Sequence, residues 1–505
     1  MSNTGTSDTR RPMTRSAEIR ERVGHPIIDS DGHVVEFEPA LLDYIRDAGG
    51  SAMLERYKTA PDTAFYFRWN HITREERREF RVARPVWWPY PTKNTYDRAT
   101  AALPKLLYQR LDEMGLDFTV LNPSQGLFAS HIGDDELRRV TCRAFNNYHA
   151  DIFREFADRI TPAACVPMHT PAEALEELEH VAKLGLKVVM MAGFVRRPIP
   201  GLAKQAPEFA SQMTWMDNLC LDSQYDYDPV WAKCVELGIA PTFHSFGLWG
   251  MRTSISSFIY NQIGHFAAAA EGICKALFLG GVTRRFPTLK FAFKEGGVGW
   301  AVNLYCALYE RWHKRSLPMM DQVNPANLDR QLYRKLCSEY GGKFTAGRLD
   351  GNLVPSELEG GGGGDPSEWD EWSACEIKNR EDIYDRFVPN FFFGCEGDDR
   401  MTSLAFDAKR NPLGARLNAV YGSDMGHYDL TDLRNAAVEA YESVEHGLMT
   451  EEDFRDFVLV NPIKLHASMN PNFFRGTILE HEAEKVLSDL RIKENGRRST
   501  SAAAR

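Results

Sequence analysis

Residues 26–36 read PIIDSDGHVVE, an apolar run that gives out at Asp31-Gly32-His33. In a strand, residues i and i+2 point to one face, so a carboxylate and an imidazole two apart can converge on one point, such as a metal ion. A turn is the competing reading, because Asp and Gly are common turn formers. What the rest of the chain places beside this stretch decides between them.

Seven further apolar or β-branched runs follow: FTVLNP (118–123), TPAACVP (161–167), LKVVMM (186–191), IAPTFH (239–244), LKFAFKE (289–295), NFFFGCE (390–396) and NAVYGSD (418–424). With PIIDSD (26–31) they make eight. Amphipathic stretches such as EALEELEHVAKLG (173–185) and DPVWAKCVELG (228–238) fit between them, the second with Asp228 as its expected N-cap. Alternation of that kind and number predicts an α/β fold, a (β/α)8 TIM barrel. Stretches near 50–100, 192–227 and 317–388 break the rhythm and read as large loop insertions into a barrel spanning 23–480. Residues 1–22 and 481–505 are polar and charged, and are expected to form a flexible N-terminal arm and a C-terminal tail. Five glycines at 360–364 read as a flexible connector.

Composition narrows the function. A net charge of −10 over 505 residues leaves no basic footprint for nucleic acid. The nine cysteines are scattered and never form CxxC, which argues against a disulfide framework or a zinc ribbon and fits a reducing cytoplasm. No stretch has the apolar length of a signal peptide core or a membrane span, so a cytoplasmic protein without a membrane partner is expected.

In such a barrel, catalytic residues sit at the C-terminal ends of strands. Those ends are polar here: Asp31 and His33 after strand one, His244 after five, Glu295 after six, Glu396 after seven and Asp424 after eight. Two imidazoles and two carboxylates from strands one, five and eight can converge on one divalent cation and leave a position for water. Singly, each has a plainer reading: His244 as a core histidine, Asp424 as a helix cap, Glu295 as the ion-pair partner of Lys294 or an arginine. His427, three beyond Asp424, is the candidate to hold that carboxylate from behind, and Glu396 and Asp398 are candidate site walls. Trp87 and Trp88, in RPVWWPYPTKNTYDR, suit a lid over a ring-shaped substrate or a subunit contact.

Taken in order, DSDGHVVE, PTFHS, RRFPTLKFAFKEGGVGW and YGSDMGHYD resemble the amidohydrolase-related family that contains aminocarboxymuconate-semialdehyde decarboxylase and γ-resorcylate decarboxylase, over roughly residues 25–475. The resemblance implies a metal-dependent barrel with Asp31, His33, His244 and Asp424 as metal ligands and Asp424 doubling as proton shuttle. Two departures stand out. Relatives often carry His-x-His or Glu-x-His where this chain has Asp-x-His, and the decarboxylases carry a histidine before the glycines where this chain has Lys294-Glu295-Gly296-Gly297. A carboxyl at Glu295 would act as an acid only with its pKa raised by burial.

The end of strand four, Met190-Met191-Ala192-Gly193, lacks the lysine that bridges two metals in binuclear relatives, and Lys187 lies at the strand's start. One divalent ion per chain is therefore expected, with zinc ahead of manganese or iron. Because the strand-six histidine is absent, the expected activity is hydrolysis of a C–C or C–N bond in a small aromatic or carboxylated substrate by metal-activated water, with Asp424 and Glu295 as the catalytic candidates. Non-oxidative decarboxylation of an aromatic acid and a non-catalytic binding barrel are the alternatives. A homodimer is the default assembly.

Overall fold

The eight runs form strands whose side chains are buried almost throughout, as a parallel sheet covered on both faces requires. They are β1 (Ile28–Val34), β2 (Phe118–Pro123), β3 (Ile160–Val166), β4 (Val188–Met191), β5 (Pro241–Phe243), β6 (Phe291–Phe293), β7 (Phe391–Glu396) and β8 (Asn418–Gly422). Neighbours pair in parallel and in chain order from β1 to β8. Helices such as Asp135–Phe153, Pro171–Leu184, Asp228–Leu237, His265–Leu279 and Gly299–Arg315 connect successive strands, completing the (β/α)8 arrangement. This computed structural model describes residues 13–60, 69–86, 92–324, 327–351, 353 and 370–503, with side chains through 492.

The expected loose ends are ordered where they are described. Residues Arg15–Val23 form a helix capped by Thr14, and Ser16 and Ile19 are buried beneath it, with Ser16 Oγ donating to Arg434 O at 2.6 Å. The buried Ser16 and Ile19, the pairing of Arg20 with Asp117 and the Thr14 Oγ1 bond to Glu113 O together dock this polar segment. Glu480–Ala503 is likewise a helix, anchored by buried Ala483 and Val486. The insertion at 192–227 holds an antiparallel hairpin, Val195–Pro198 with Thr214–Asp217, and that near 317–388 holds the helix Arg330–Tyr340. Asp228 is the first residue of its helix rather than its cap; its carboxylate pairs with Arg285. The five glycines lie outside the described residues.

The seam between β8 and β1 sets up the site. Register slips between Asp29 and Gly32, a bulge that re-aims the end of β1. Asp29, wholly buried, accepts from Ser423 N (2.9 Å), Ser423 Oγ (2.7 Å), Thr119 Oγ1 (3.0 Å) and Asp31 N (3.1 Å), while Asp424 N donates to Asp31 O at 3.0 Å. These bonds tie both ends of the barrel together just beneath Asp31 and Asp424. Side chains are excluded from this seam: a Cβ on Gly32 would lie 2.8 Å from Asp29 Oδ2, and one on Gly422 would lie 2.6 Å from Asp31 Cβ. Gly422→Ala is therefore expected to cost about 1–3 kcal/mol by overpacking and to displace Asp31; a thermal melt together with metal titration checks both, and a wild-type melt with wild-type metal binding would refute the steric argument.

Acid sensitivity also follows from the packing. Burial pushes His265 and His466 down to about 3 from an ordinary 6.5, and His466 is stacked on Phe473 at 4.4 Å. Unfolded, each takes up a proton near 6.5, whereas folded it stays neutral until about 3. The unfolded state thus binds more protons in that window, so stability is complete above 6.5 and falls as pH drops, by up to about 1.4 kcal/mol per pH unit for each histidine. Denaturant midpoints measured between these limits should lose one proton's slope in His466→Phe; an unchanged slope would contradict the assignment.

Candidate metal centre

The strand ends bring the sequence candidates to one place. His33 Nε2 lies 3.2 Å from Asp424 Oδ1, 3.8 Å from Asp31 Oδ1 and 4.0 Å from Glu295 Oε2. His244 Nε2 lies 3.1 Å from Glu295 Oε2 and 3.9 Å from Asp31 Oδ1. None of these five side chains is more than 5% exposed. Asp31, His33 and His244 present donor atoms all within 4.8 Å of one another, and His33, Asp424 and His427 form a second, overlapping group.

Whether these residues suit a cation can be tested on their hydrogen bonding. Both ring nitrogens of His33 and of His244, Oδ2 of Asp31 and of Asp424, and both carboxylate oxygens of Glu295 are buried without a hydrogen-bond partner among the described residues. Each such atom costs about 1–3 kcal/mol unless something satisfies it. A set of imidazole nitrogens and carboxylate oxygens left open at one point suits a divalent ion of the zinc or manganese type. Burial drives His33 and His244 well below their usual range, so their lone pairs are free to coordinate. Burial raises Asp31 to about 7 against the opposing pull of Lys294, and raises Asp424 and Glu295 well above the carboxylate range, neighbouring carboxylates adding to both.

Backbone geometry marks the same two carboxyls. Glu295 has φ of 54° and Asp424 has φ of 48°, left-handed conformations that cost a non-glycine residue about 1–3 kcal/mol. Each stands two residues past the end of its strand, β6 for Glu295 and β8 for Asp424, and the turn brings both carboxyls to the barrel mouth beside His33 and His244.

A supporting shell holds the set. His427 Nδ1 meets Asp424 Oδ1 at 2.8 Å and its Nε2 meets Ser124 Oγ at 2.9 Å. Asn122 Nδ2 donates to Asp31 Oδ1 at 2.5 Å, and the Asp429 carboxyl reaches Asp424. Asn122, Ser124, Asp29 and Asp429 are absent from the sequence-based set. Asn122 and Ser124 were findable, since FTVLNPS ends β2 and strand ends carry function. Lys294 Nζ donates to Ser30 O rather than pairing with Glu295. Glu396, half-buried at the end of β7, lines a cavity next to Glu295 and touches none of the ligand set by hydrogen bond. Trp87 and Trp88 lie outside the described residues. Ser124→Ala is expected to lower turnover about tenfold while leaving the melt within a degree or two of wild type; steady-state kinetics check it, and wild-type kcat would remove Ser124 from the shell.

A family model described as Amidohydrolase matches residues 28–326, more than half of the chain. The chain belongs to the amidohydrolase family. The matched stretch of this amidohydrolase runs from β1 through β6 and so includes Asp31, His33, His244 and Glu295, while Asp424 lies beyond it. No curated protein matches. Similar solved structures include an amidohydrolase from Mycobacterium avium subsp. paratuberculosis, at 17% identity and a TM-score of 0.41 over 73% of this chain and 75% of that one. They also include 2,6-dihydroxybenzoate decarboxylase from Rhizobium, at 14% identity and a TM-score of 0.45 over 88% and 98%. A third is dihydroxybenzoic acid decarboxylase from Polaromonas with bound manganese and the inhibitor 2-nitroresorcinol, at 14% identity and a TM-score of 0.47 over 88% and 97%. No described helix is long and apolar enough to cross a membrane.

Proposed function

We propose that this amidohydrolase-family chain is a divalent-metal-dependent carboxy-lyase that releases carbon dioxide from a small aromatic acid without an oxidant. One observation carries the reading: a single oxygen of Asp424, Oδ1, stands 3.2 Å from His33 Nε2 in the candidate ligand set and 2.8 Å from His427 Nδ1, behind which stands Ser124. A carboxyl so placed can deliver a proton to a carbon atom at the reacting centre and be recharged from the rear, the service that decarboxylation demands.

Asp31, His33, His244 and Asp424 would hold the ion, which when bound supplies Lewis-acid polarisation of substrate oxygens. The chain's own groups do the rest. Asn122 fixes the Asp31 carboxylate, and the Asp29 bonds hold β1 and β8 in register so that Asp31 and Asp424 face each other. Decarboxylation is preferred over the hydrolysis expected from the sequence because Asp424 has a relay behind it, His427 and then Ser124, through which a proton can be returned to it after each transfer. In the forward direction Asp424 gives its proton to the ring carbon as the bond from that carbon to the departing carbon dioxide breaks; Asp424 is then recharged from His427 Nδ1 while His427 Nε2 takes up a proton relayed from solvent through Ser124 Oγ.

The test is a panel of hydroxylated and aminomethyl-substituted benzoates, each with its amide, incubated with manganese- or zinc-loaded protein in deuterated water. Carbon dioxide release with one deuterium at the vacated carbon supports the reading. Amide cleavage without carbon dioxide would replace it with hydrolysis.

A further inference from the structure

Beside the ligand set lies a cavity of about 200 Å³ with an uneven wall. Its lining combines the carboxyl-bearing Glu295, Glu396 and Asp399 with the apolar Ile263, Phe266 and Ala267 and the neutral amide of Gln262. No arginine, lysine or histidine stands among the described residues that line it. The Glu295 side chain is 3% exposed, and neither of its oxygens completes a hydrogen bond, although Oε2 lies 3.1 Å from His244 Nε2. Asp399 spends Oδ1 on Met401 N at 2.9 Å, leaving Oδ2 toward Gly297.

The cavity is kept open by its glycines. A Cβ on Gly297 would sit 2.5 Å from Asp399 Oδ2, and one on Gly296 would sit 3.1 Å from Trp300 Nε1. Gly297 also has φ of 66°, a conformation that side chains resist. The run Lys-Glu-Gly-Gly therefore does two things at once: it places a carboxyl at the border of the ligand set and clears the space behind it.

Three acceptor groups converging on a small space, with a carboxyl buried and unsatisfied among them, are costly without a cation or a multiple hydrogen-bond donor to meet them. An anionic group would be repelled. An ammonium group meets the requirement, because it brings one positive charge and three donors, and the apolar Phe266 and Ile263 in the same lining suit the carbons that carry it. We infer that this cavity is a subsite for a protonated aliphatic amine or amidine borne by the ligand, set next to the metal ligands through Glu295. As a part of substrate recognition the inference rests on the reaction proposed above; as a binding site for an ammonium group it stands independently of turnover.

The experiment uses metal-loaded full-length protein and two probes of equal shape, benzylamine and benzyl alcohol, with binding followed by titration calorimetry and ligand-observed NMR at neutral pH. Benzylamine is expected to bind at least about tenfold more tightly, the worth of one charged hydrogen bond, and this preference should collapse in Glu396→Gln and in Asp399→Asn. The second variant keeps the Oδ1 acceptor for Met401 N and so preserves that turn if the first fails to fold. Equal binding of the two probes overturns the inference, as does a preference that survives both variants. A second equivalent of divalent metal, lost in Glu396→Gln, overturns it too, because the carboxyls would then serve a metal. Should no acid in the substrate panel be decarboxylated while the amine preference holds, the reaction fails and the subsite stands.

Discussion

Asp424→Asn is expected to lower kcat by about 10³-fold while the protein stays folded. Asparagine matches aspartate in size, so the seam contacts around residue 424, including the backbone bond from its N to Asp31 O, can persist. What disappears is the ability to carry and release a proton at the point 3.2 Å from His33 and 2.8 Å from His427. The expected pattern is a steep loss of kcat with a thermal midpoint close to wild type, against only about a tenfold loss for Ser124→Ala, because Ser124 acts through His427 and Asp424 acts on the reacting atom. Stopped assays with a substrate identified from the panel, run alongside melts and metal analysis, separate the cases. If Asp424→Asn retained more than a tenth of wild-type turnover, Asp424 would not be the proton donor.

Removal of the ion is the second large effect. Among the described residues, the proposed ligands leave Nε2 of His33 and of His244 and Oδ2 of Asp31 and of Asp424 buried without hydrogen bonds, so the apoprotein holds open a cost that coordination can remove. Chelation followed by gel filtration should abolish activity and lower stability; saturating ion at about 1,000 times Kd adds about 4 kcal/mol to the folded state. Reconstitution should restore both at one equivalent per chain. His244→Ala should fail to regain either. A melt indifferent to zinc, manganese and iron alike would leave the orphaned atoms unexplained and remove the metal from the proposal.

Much of this was legible in the one-dimensional pattern. Eight apolar runs separated by amphipathic stretches dictate a parallel barrel, because strand pairing and helix cover follow from period and burial alone. Strand-end position then picks out Asp31, His33, His244, Glu295 and Asp424, since backbone direction fixes which end of every strand opens to the mouth. His427 was reachable by the same reasoning, three residues beyond Asp424. Segments were misread where docking depends on a few side chains: Arg15–Val23 looks like a polar arm, yet buried Ser16 and Ile19, together with Arg20, fasten it to the barrel.

The tertiary structure alone decided the rest. Asn122 meets Asp31 and Ser124 meets His427 through contacts that span different strands, and no local period encodes which amide or hydroxyl faces which side chain. Lys294 turning to Ser30 instead of to Glu295 is likewise a matter of three-dimensional packing. So is the gathering of Glu295, Glu396 and Asp399 around one small cavity, because those residues come from successive strand ends more than a hundred positions apart in the chain. The sequence by itself determined the barrel and the residue types at its mouth, through periodicity and strand polarity. Only the folded chain decided which carboxyl is buried, which is held by a neighbour and which is left open to a ligand, because burial and through-space charge depend on distances that a linear order does not contain.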